Sequence, residues 1–297
     1  MPAKIGFSAG TGSLKIPFSV VRMTHMLRRI WRGDHALTEW DAADYERISG
    51  LQLAMAEEVL ALLDLNGARH ILDIGCGNGK ITAEIAARVA HAKAVGVDPS
   101  HDMIEFASGH YDRAIYPDLR FEIADARSLP YREEFDLVVS FNALHWIPQQ
   151  DEALQSIYAA MKSGARAQLR MVCKGGRKSL EHVLEETCFS SRWARYFEQF
   201  HKPYLHLTPE AYSELAGRNG LQVVHVQDED KSWNFKTRSA FEAFGSVTFV
   251  EWTRLLPAQE EPNFVGDVLD RYRLVASDKP SEENTFKFYQ MDIALRR

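Results

Sequence analysis

His70-Ile-Leu-Asp-Ile-Gly-Cys-Gly-Asn-Gly-Lys80 reads as a buried strand that breaks into a glycine turn. Ile71, Leu72 and Ile74 supply the short continuous apolar run of a parallel strand covered on both faces. Gly75, Gly77 and Gly79 allow a sharp turn and let backbone approach a ligand where a Cβ would collide. Ile81, Ile85 and Ala86 then repeat at helical spacing. A helix N-terminus beside a crevice offers unpaired N–H groups and a favourable dipole. Strand–turn–helix units of this kind hold nucleotide-like cofactors at the carboxyl end of a sheet.

Spacing tests two cofactors directly. A dinucleotide fingerprint beginning at Gly75 needs glycine or alanine at position 80, which is Lys80. A phosphate-binding P-loop ending at Gly79-Lys80 needs glycine at 74 and Ser or Thr at 81, and finds Ile74 and Ile81. Both patterns fail.

Outward from the turn, strands and helices alternate. Strands are expected at Ile71–Ile74, Ala94–Val97, Arg120–Ile123, Leu137–Phe141 and Ala167–Val172, with helices near Ile81–Val89, His101–Ser108 and Asp151–Met161 between them. This order predicts an α/β fold with a parallel sheet wrapped on both sides. A helix at Pro209–Arg218, strands at Leu221–Val226 and Thr285–Leu295, and an earlier helix at Asp41–Leu63 complete the pattern. Aromatic-rich segments at about 173–206 and 230–279, the latter with helical spacing around Phe241–Phe249 and Phe264–Val275, are expected to cap the sheet's carboxyl edge.

The chain of 297 residues is 45% hydrophobic, enough for one elaborated domain with a large core. A net charge of −6 argues against a general nucleic-acid binder. Cys76, Cys173 and Cys188 lack metal-ligand spacing and fit a reduced, cytoplasmic chain. His101, His110, His145, His201 and His206 are scattered without a supporting acid pattern, so no metal site is expected.

The first 33 residues carry Lys4, Lys15, Arg22, Arg28, Arg29 and Arg32 but no acid, and Val20, Met23, Leu27 and Ile30 share one helical stripe. A separate extension over 1–40 is expected. It reads as a lid helix, a membrane-surface anchor through residues 18–32, or an organelle-targeting leader.

Further candidates arrive at successive strand ends. Asp98, in Val95-Gly-Val-Asp-Pro-Ser100, lies 21 residues after Gly77, where an acid can accept both ribose hydroxyls. Asp98 or Ser100 can equally cap the following helix. Met103, one turn into that helix, can pack on an adenine. Asp125 follows the third strand, where an Asx turn is the plain alternative. Asn142, His145 and Trp146 follow the fourth; a turn, a hydrogen-bonded structural histidine and core packing are their ordinary roles. Cys76 is either a redox-sensitive thiol or a small residue that fits.

Asp73-x-Gly75-x-Gly77-x-Gly79, followed in order by Asp98, Asp125 and Asn142, resembles the class I S-adenosylmethionine-dependent methyltransferases over about residues 40–172. The resemblance implies a Rossmann-like, doubly wound sheet of seven strands, mostly parallel with an antiparallel last strand, plus N-terminal helices and a helical cap over 41–297. It implies S-adenosylmethionine as cofactor and S-adenosylhomocysteine as product. Asp73, Gly75, Cys76 and Gly77 would hold the amino-acid moiety, Asp98 and Pro99 the ribose, Met103, Asp125 and Ala126 the adenine, and Asn142 would face the methyl group.

Tyr45-Glu-Arg-Ile-Ser-Gly-Leu-Gln52, Asn142-Ala-Leu-His-Trp-Ile147 and Phe288-Tyr-Gln-Met-Asp-Ile293 resemble one group within that family. It contains the juvenile hormone acid, trans-aconitate and malonyl-carrier-protein carboxyl O-methyltransferases. The resemblance places Gln52 and Trp146 beside an acceptor carboxylate. A small-molecule carboxylic acid is the expected partner, methylated without a metal. A phenol or hydroxyl acceptor would need a base, and His145 is the candidate. An assembly or interaction factor on the same fold is the alternative from another class.

Overall fold

The computed structural model describes residues 50–89 and 91–297. The expected extension over 1–40 and the helix residues 41–49 lie outside the described residues. Among the described residues, seven strands form one sheet in the order β3-β2-β1-β4-β5-β7-β6. They are β1 (His70–Ile74), β2 (Lys93–Asp98), β3 (Leu119–Ile123), β4 (Phe135–Phe141), β5 (Met161–Cys173), β6 (Gln222–Asn234) and β7 (Thr285–Arg296). β1 to β5 pair in parallel, whereas β7 runs antiparallel to both β5 and β6. The chain winds outward from β1 to β3 and then returns to the other side at β4. That reversal opens a crevice at the carboxyl ends of β1 and β4.

Alternation along the strands sends side chains to two cores. Leu72, Ile74, Val95, Val97 and Val138 face one way, against α4 (Gln150–Ala160) and α6 (Pro209–Arg218). Ile71, Ala94, Leu137 and Val139 face the other, against α1 (Gly50–Leu62) and α2 (Lys80–Arg88). Helix α3 (His101–His110) follows β2, capped by Ser100, whose Oγ accepts the Met103 N–H at 3.3 Å. The segments expected to cap the sheet, about 173–206 and 230–279, build a third core.

That core joins α5 (Leu180–Cys188), α7 (Arg238–Thr248), α8 (Val250–Thr253) and α9 (Glu261–Ala276) to Phe286 and Phe288 of β7. Leu51 and Met55 of α1 pack into it, while Val59 and Leu60, one to two turns on, pack under the sheet. Helix α1 thus spans two cores. No helix among the described residues is long and apolar enough to cross a membrane.

One boundary differs from expectation. The second cap segment, expected over 230–279, begins only after Asn234, because β6 continues through Asp228-Glu229-Asp230-Lys231 and pairs with β7 to Asn234↔Thr285. Charge there is compatible with a strand because β6 is an edge, where charged side chains discourage pairing with other chains. A register shift between Val223 and His225 adds a bulge to that edge.

Candidate functional site

The glycine turn is pinned to the neighbouring strand. The N–H groups of Gly75 and Cys76 both donate to the carbonyl of Val97, at 2.8 and 3.0 Å, and the Gly77 N–H donates to Asp98 Oδ2 at 3.0 Å. Gly75 has φ +72°, and a Cβ there would fall 2.1 Å from the Cβ of Ala143. Glycine is therefore required twice over, by conformation and by the close approach of the loop after β4. Gly77 has φ +53°, yet a Cβ there would meet nothing within 4 Å. The space beyond Gly77 is open.

Asp73 lies beneath the turn, buried, and accepts from Thr82 Oγ1 at 2.6 Å. Burial raises its carboxyl to about 7; the Thr82 hydrogen bond opposes that rise and the charge of Asp98 adds to it. The same environment pushes the Cys76 thiol well up, by burial first and then by Asp98 and Asp73. A thiol kept protonated in this way is a small buried filler rather than a reactive group.

Asp98 ends β2 with Oδ1 accepting from the Ser100 N–H at 2.9 Å and Oδ2 from Gly77. The capping task belongs to Ser100, so Asp98 ties the turn to the strand end. Pro99 is half-buried and Met103 buried beside it. At the end of β3, Ile123 is exposed and Ala126 is buried. Asp125 accepts from the backbone N–H of Arg127 at 2.9 Å and from its guanidinium, with Nε at 2.9 and 3.0 Å. Burial raises the Asp125 carboxyl, but the hydrogen bonds and charge of Arg127 outweigh it and hold the carboxyl below its ordinary value. The motif reading did not foresee that partner, although Arg127 stands only two residues away.

Asn142 follows β4 in the left-handed region, φ +58°. Its N–H donates to the Arg170 carbonyl at 2.7 Å, and its Oδ1 accepts from Gln290 Nε2 at 3.0 Å. Gln290 is a buried amide on β7, between the buried Phe288 and Met291, and was quoted above only as part of a resemblance. Its polarity at an inward position was the available signal.

A single 3-10 turn, Leu144–Trp146, carries His145 and Trp146 past Asn142. His145 is buried, and burial, with His206 adding, drives its imidazole well below the ordinary histidine value. Trp146 is half-buried and packs against the cap core, its ring 6.2 Å from that of Trp252. Gln52 stands on α1 next to Leu51, which enters the same core; its side chain lies outside the described residues. Asp73, Gly75, Cys76, Gly77, Asp98, Pro99, Met103, Asp125, Ala126 and Asn142 thus gather along the carboxyl ends of β1 to β4. His206, Tyr204 and Trp252 join them from the cap side through His145 and Trp146. No spacing in the sequence connects those three residues to the turn.

Residues 71–164 match the family described as methyltransferase domain. Malonyl-[acyl-carrier protein] O-methyltransferase of Geobacter sulfurreducens is 30% identical over 212 residues, 64% of this chain and 70% of that protein. Trans-aconitate 2-methyltransferase of Delftia acidovorans is 27% identical over 224 residues, 73% of this chain and 80% of that one. Among solved structures, the YcgJ protein of Bacillus subtilis superimposes with a TM-score of 0.58 at 14% identity, covering 82% of this chain and 98% of that one. That last likeness concerns the fold.

Proposed function

The chain belongs to the class I S-adenosylmethionine-dependent methyltransferases, and we propose that it O-methylates the carboxylate of a small-molecule acid. The crevice fits the cofactor's parts. The open space beyond Gly77 takes the amino-acid moiety, the Asp98 carboxylate takes the ribose hydroxyls, and Met103, Asp125 and Ala126 border the adenine. Asn142 and Trp146 are left at the end of β4, toward the acceptor. The two relatives named above are named for trans-aconitate and for malonyl-[acyl-carrier protein], which supports a carboxylate acceptor.

S-adenosylmethionine supplies a methyl group on a positively charged sulfur, so attack by a carboxylate oxygen forms the C–O bond, breaks the C–S bond and leaves a neutral thioether and a neutral ester. No proton moves, because a carboxylate with an ordinary pKa of about 4 is already ionised at neutral pH. Two charges disappear in the step, so a site that excludes water lowers the barrier by removing solvation from the reactants. The residues' task is alignment and dryness. Trp146, packed against the cap's aromatic core, provides the apolar wall; the family resemblance assigns to Gln52 of α1 the role of the amide that orients the acid.

The state of His145 carries the choice of acceptor. An efficient base needs a pKa near the working pH, and burial keeps this imidazole neutral and hard to protonate. That supports an acceptor needing no base over a phenol or alcohol. The test is to incubate the purified protein with S-adenosylmethionine and a library of carboxylic acids, phenols and alcohols, and to identify products by mass. Methyl esters are expected; methylation confined to hydroxyl or amine acceptors would overturn the proposal.

A further inference from the structure

A glutamine on the last strand reaches the end of β4. Gln290 of β7 is buried, at 1% exposure, and its Nε2 donates to Asn142 Oδ1 at 3.0 Å. Strand β5 stands between β4 and β7 in the sheet, so this hydrogen bond spans it. Asn142 has a second tether in its N–H, which donates to the Arg170 carbonyl of β5 at 2.7 Å. With φ +58° it occupies the left-handed region, which a residue other than glycine keeps only where its surroundings hold it. Strand β5 thus holds its backbone and β7 its side chain. The next residue, Ala143, packs against Gly75 of the glycine turn, so the tethered amide adjoins the crevice.

Burial sets the polarity of the contact. The atom of Gln290 left buried without a partner among the described residues is its carbonyl oxygen, Oε1. Turning both amides about their last bonds would make Asn142 the donor and strand an N–H of Gln290 in that place. Buried N–H groups without partners are rarer than under-used carbonyls, so Gln290 is the donor. The two terminal atoms of an amide diverge, and pinning Asn142 Oδ1 on Gln290 directs Nδ2 away from β7. Nδ2 has no hydrogen-bond partner among the described residues, and Asn142 is only half-buried. Its N–H groups are therefore available to a ligand.

We propose that Gln290 is a positioning residue for methyl transfer: it fixes the Asn142 amide so that Nδ2 faces the crevice and donates to the acceptor's second carboxylate oxygen. The inference rests on the carboxylate reading above and adds a residue 148 positions away from the one it serves. One carboxylate oxygen forms the bond to the methyl carbon as the C–S bond breaks; the other becomes the ester carbonyl and keeps the Asn142 hydrogen bond. An amide fixed as a donor repels an amine N–H at the same place, which favours oxygen acceptors over nitrogen ones. The charged side chains on this face of the sheet are Arg170, Asp292, Glu58, Glu229 and Lys231, and they pair with one another. A carboxyl introduced at position 290 would be buried beside them, and burial raises a carboxyl's pKa toward neutral.

The experiment uses the carboxylic acids of the preceding test as one pool, dilute enough that total methyl ester, read by mass, forms at a rate proportional to the pool. Gln290→Met keeps the bulk and deletes the donor, and is expected to lower that rate about tenfold. In an Asn142→Ala background the same substitution should add nothing, because Gln290 acts through Asn142; a merely structural role would add its loss again. Gln290→Glu makes the donor depend on pH. Protonated, its O–H replaces the N–H and Asn142 stays in place; ionised, it only accepts, so Asn142 turns and presents Oδ1 to the crevice. The ratio of variant to wild-type rate is expected to fall about tenfold through one titration between about pH 5 and 9. Circular dichroism and S-adenosylhomocysteine affinity at each pH report the fold. Unchanged rates in the folded variants, a further loss in the Asn142→Ala background, or a Gln290→Glu ratio constant with pH overturns the proposal. Ester from the wild type alongside any of these leaves the carboxylate reading standing, whereas a wild type that forms no ester sinks that reading and this one with it.

Discussion

The carboxylate of Asp98 accepts the backbone N–H of Gly77 at 3.0 Å, so the end of β2 grips the turn that leaves β1. Its other oxygen accepts from Ser100 at 2.9 Å, which also fixes the entry to α3. One side chain thus sets the relative placement of two elements that border the cofactor crevice. Asp98→Asn keeps the shape but puts an amide where one acceptor stood. Affinity for S-adenosylmethionine is expected to fall about 10–100-fold, measured by calorimetry; unchanged affinity would remove Asp98 from the site.

Gly75 and Gly77 separate packing from ligand space. Gly75→Ala drives a methyl to 2.1 Å from Ala143 Cβ at a positive φ, and should cost about 2–5 kcal/mol in urea unfolding. Gly77→Ala meets nothing and should cost only about 1–2 kcal/mol, for its φ of +53°. The second variant, though the more stable, is expected to lose S-adenosylmethionine binding because its methyl enters the open space.

Asp73 gives stability a pH dependence. Its folded pKa, raised by burial to about 7 from an ordinary value of 3.8, means that the native state holds a proton the unfolded chain releases. The contribution is complete below about pH 4 and is lost as pH rises through about 7, a swing on the order of 4 kcal/mol. Asp73→Asn cannot ionise and still accepts from Thr82. Relative to the wild type it should therefore gain stability between pH 5 and 8 in chemical denaturation; parallel curves would refute the assignment.

Arg170 crosses from β5 to β7 and forks onto Asp292, with Nε–Oδ1 at 2.7 Å and Nη2–Oδ2 at 2.8 Å, while Glu58 of α1 lies 3.4 Å away. Its side chain is buried, so Arg170→Met strands the Asp292 charge. A loss of about 3–5 kcal/mol is expected, read as a lowered urea midpoint. Arg170 also presents its carbonyl to the Asn142 N–H, a bond the substitution leaves intact.

If the acceptor is a carboxylate, kcat for ester formation should stay flat from pH 6 to 9, because the nucleophile is ionised throughout and the step needs no base. A rise of tenfold or more across it, followed by mass spectrometry of the ester, would mark a titrating base and revive the hydroxyl reading.

The glycine turn was legible because its signal is local. Three glycines at alternate positions behind an apolar run state a backbone path, and Lys80, Ile74 and Ile81 exclude two rival turns by their mere presence. Asp98 was legible through its fixed distance from Gly77, which reflects the length of one helix and one strand. The end of β6 was not, since Asp228–Lys231 reads as a loop until β7 lies beside it and supplies the ladder. Arg127 on Asp125 and Gln290 on Asn142 were missed for different reasons. The first competes with a ligand for the same oxygens; the second lies 148 residues away.

By itself the sequence determined the succession of strands and helices in the first half and the glycine turn, because those depend on φ, side-chain size and spacing within a few tens of residues; the methyl donor followed from the family resemblance those motifs carry. Only the tertiary structure decided what surrounds Trp146, the residue proposed to face the acceptor. Trp146, Trp252 and the pair Tyr204 and His206 come from three places in the chain and touch only after the cap has packed on β5 and β7. The burial that lowers the His145 pKa is likewise produced by that packing, and no periodicity in one dimension records it.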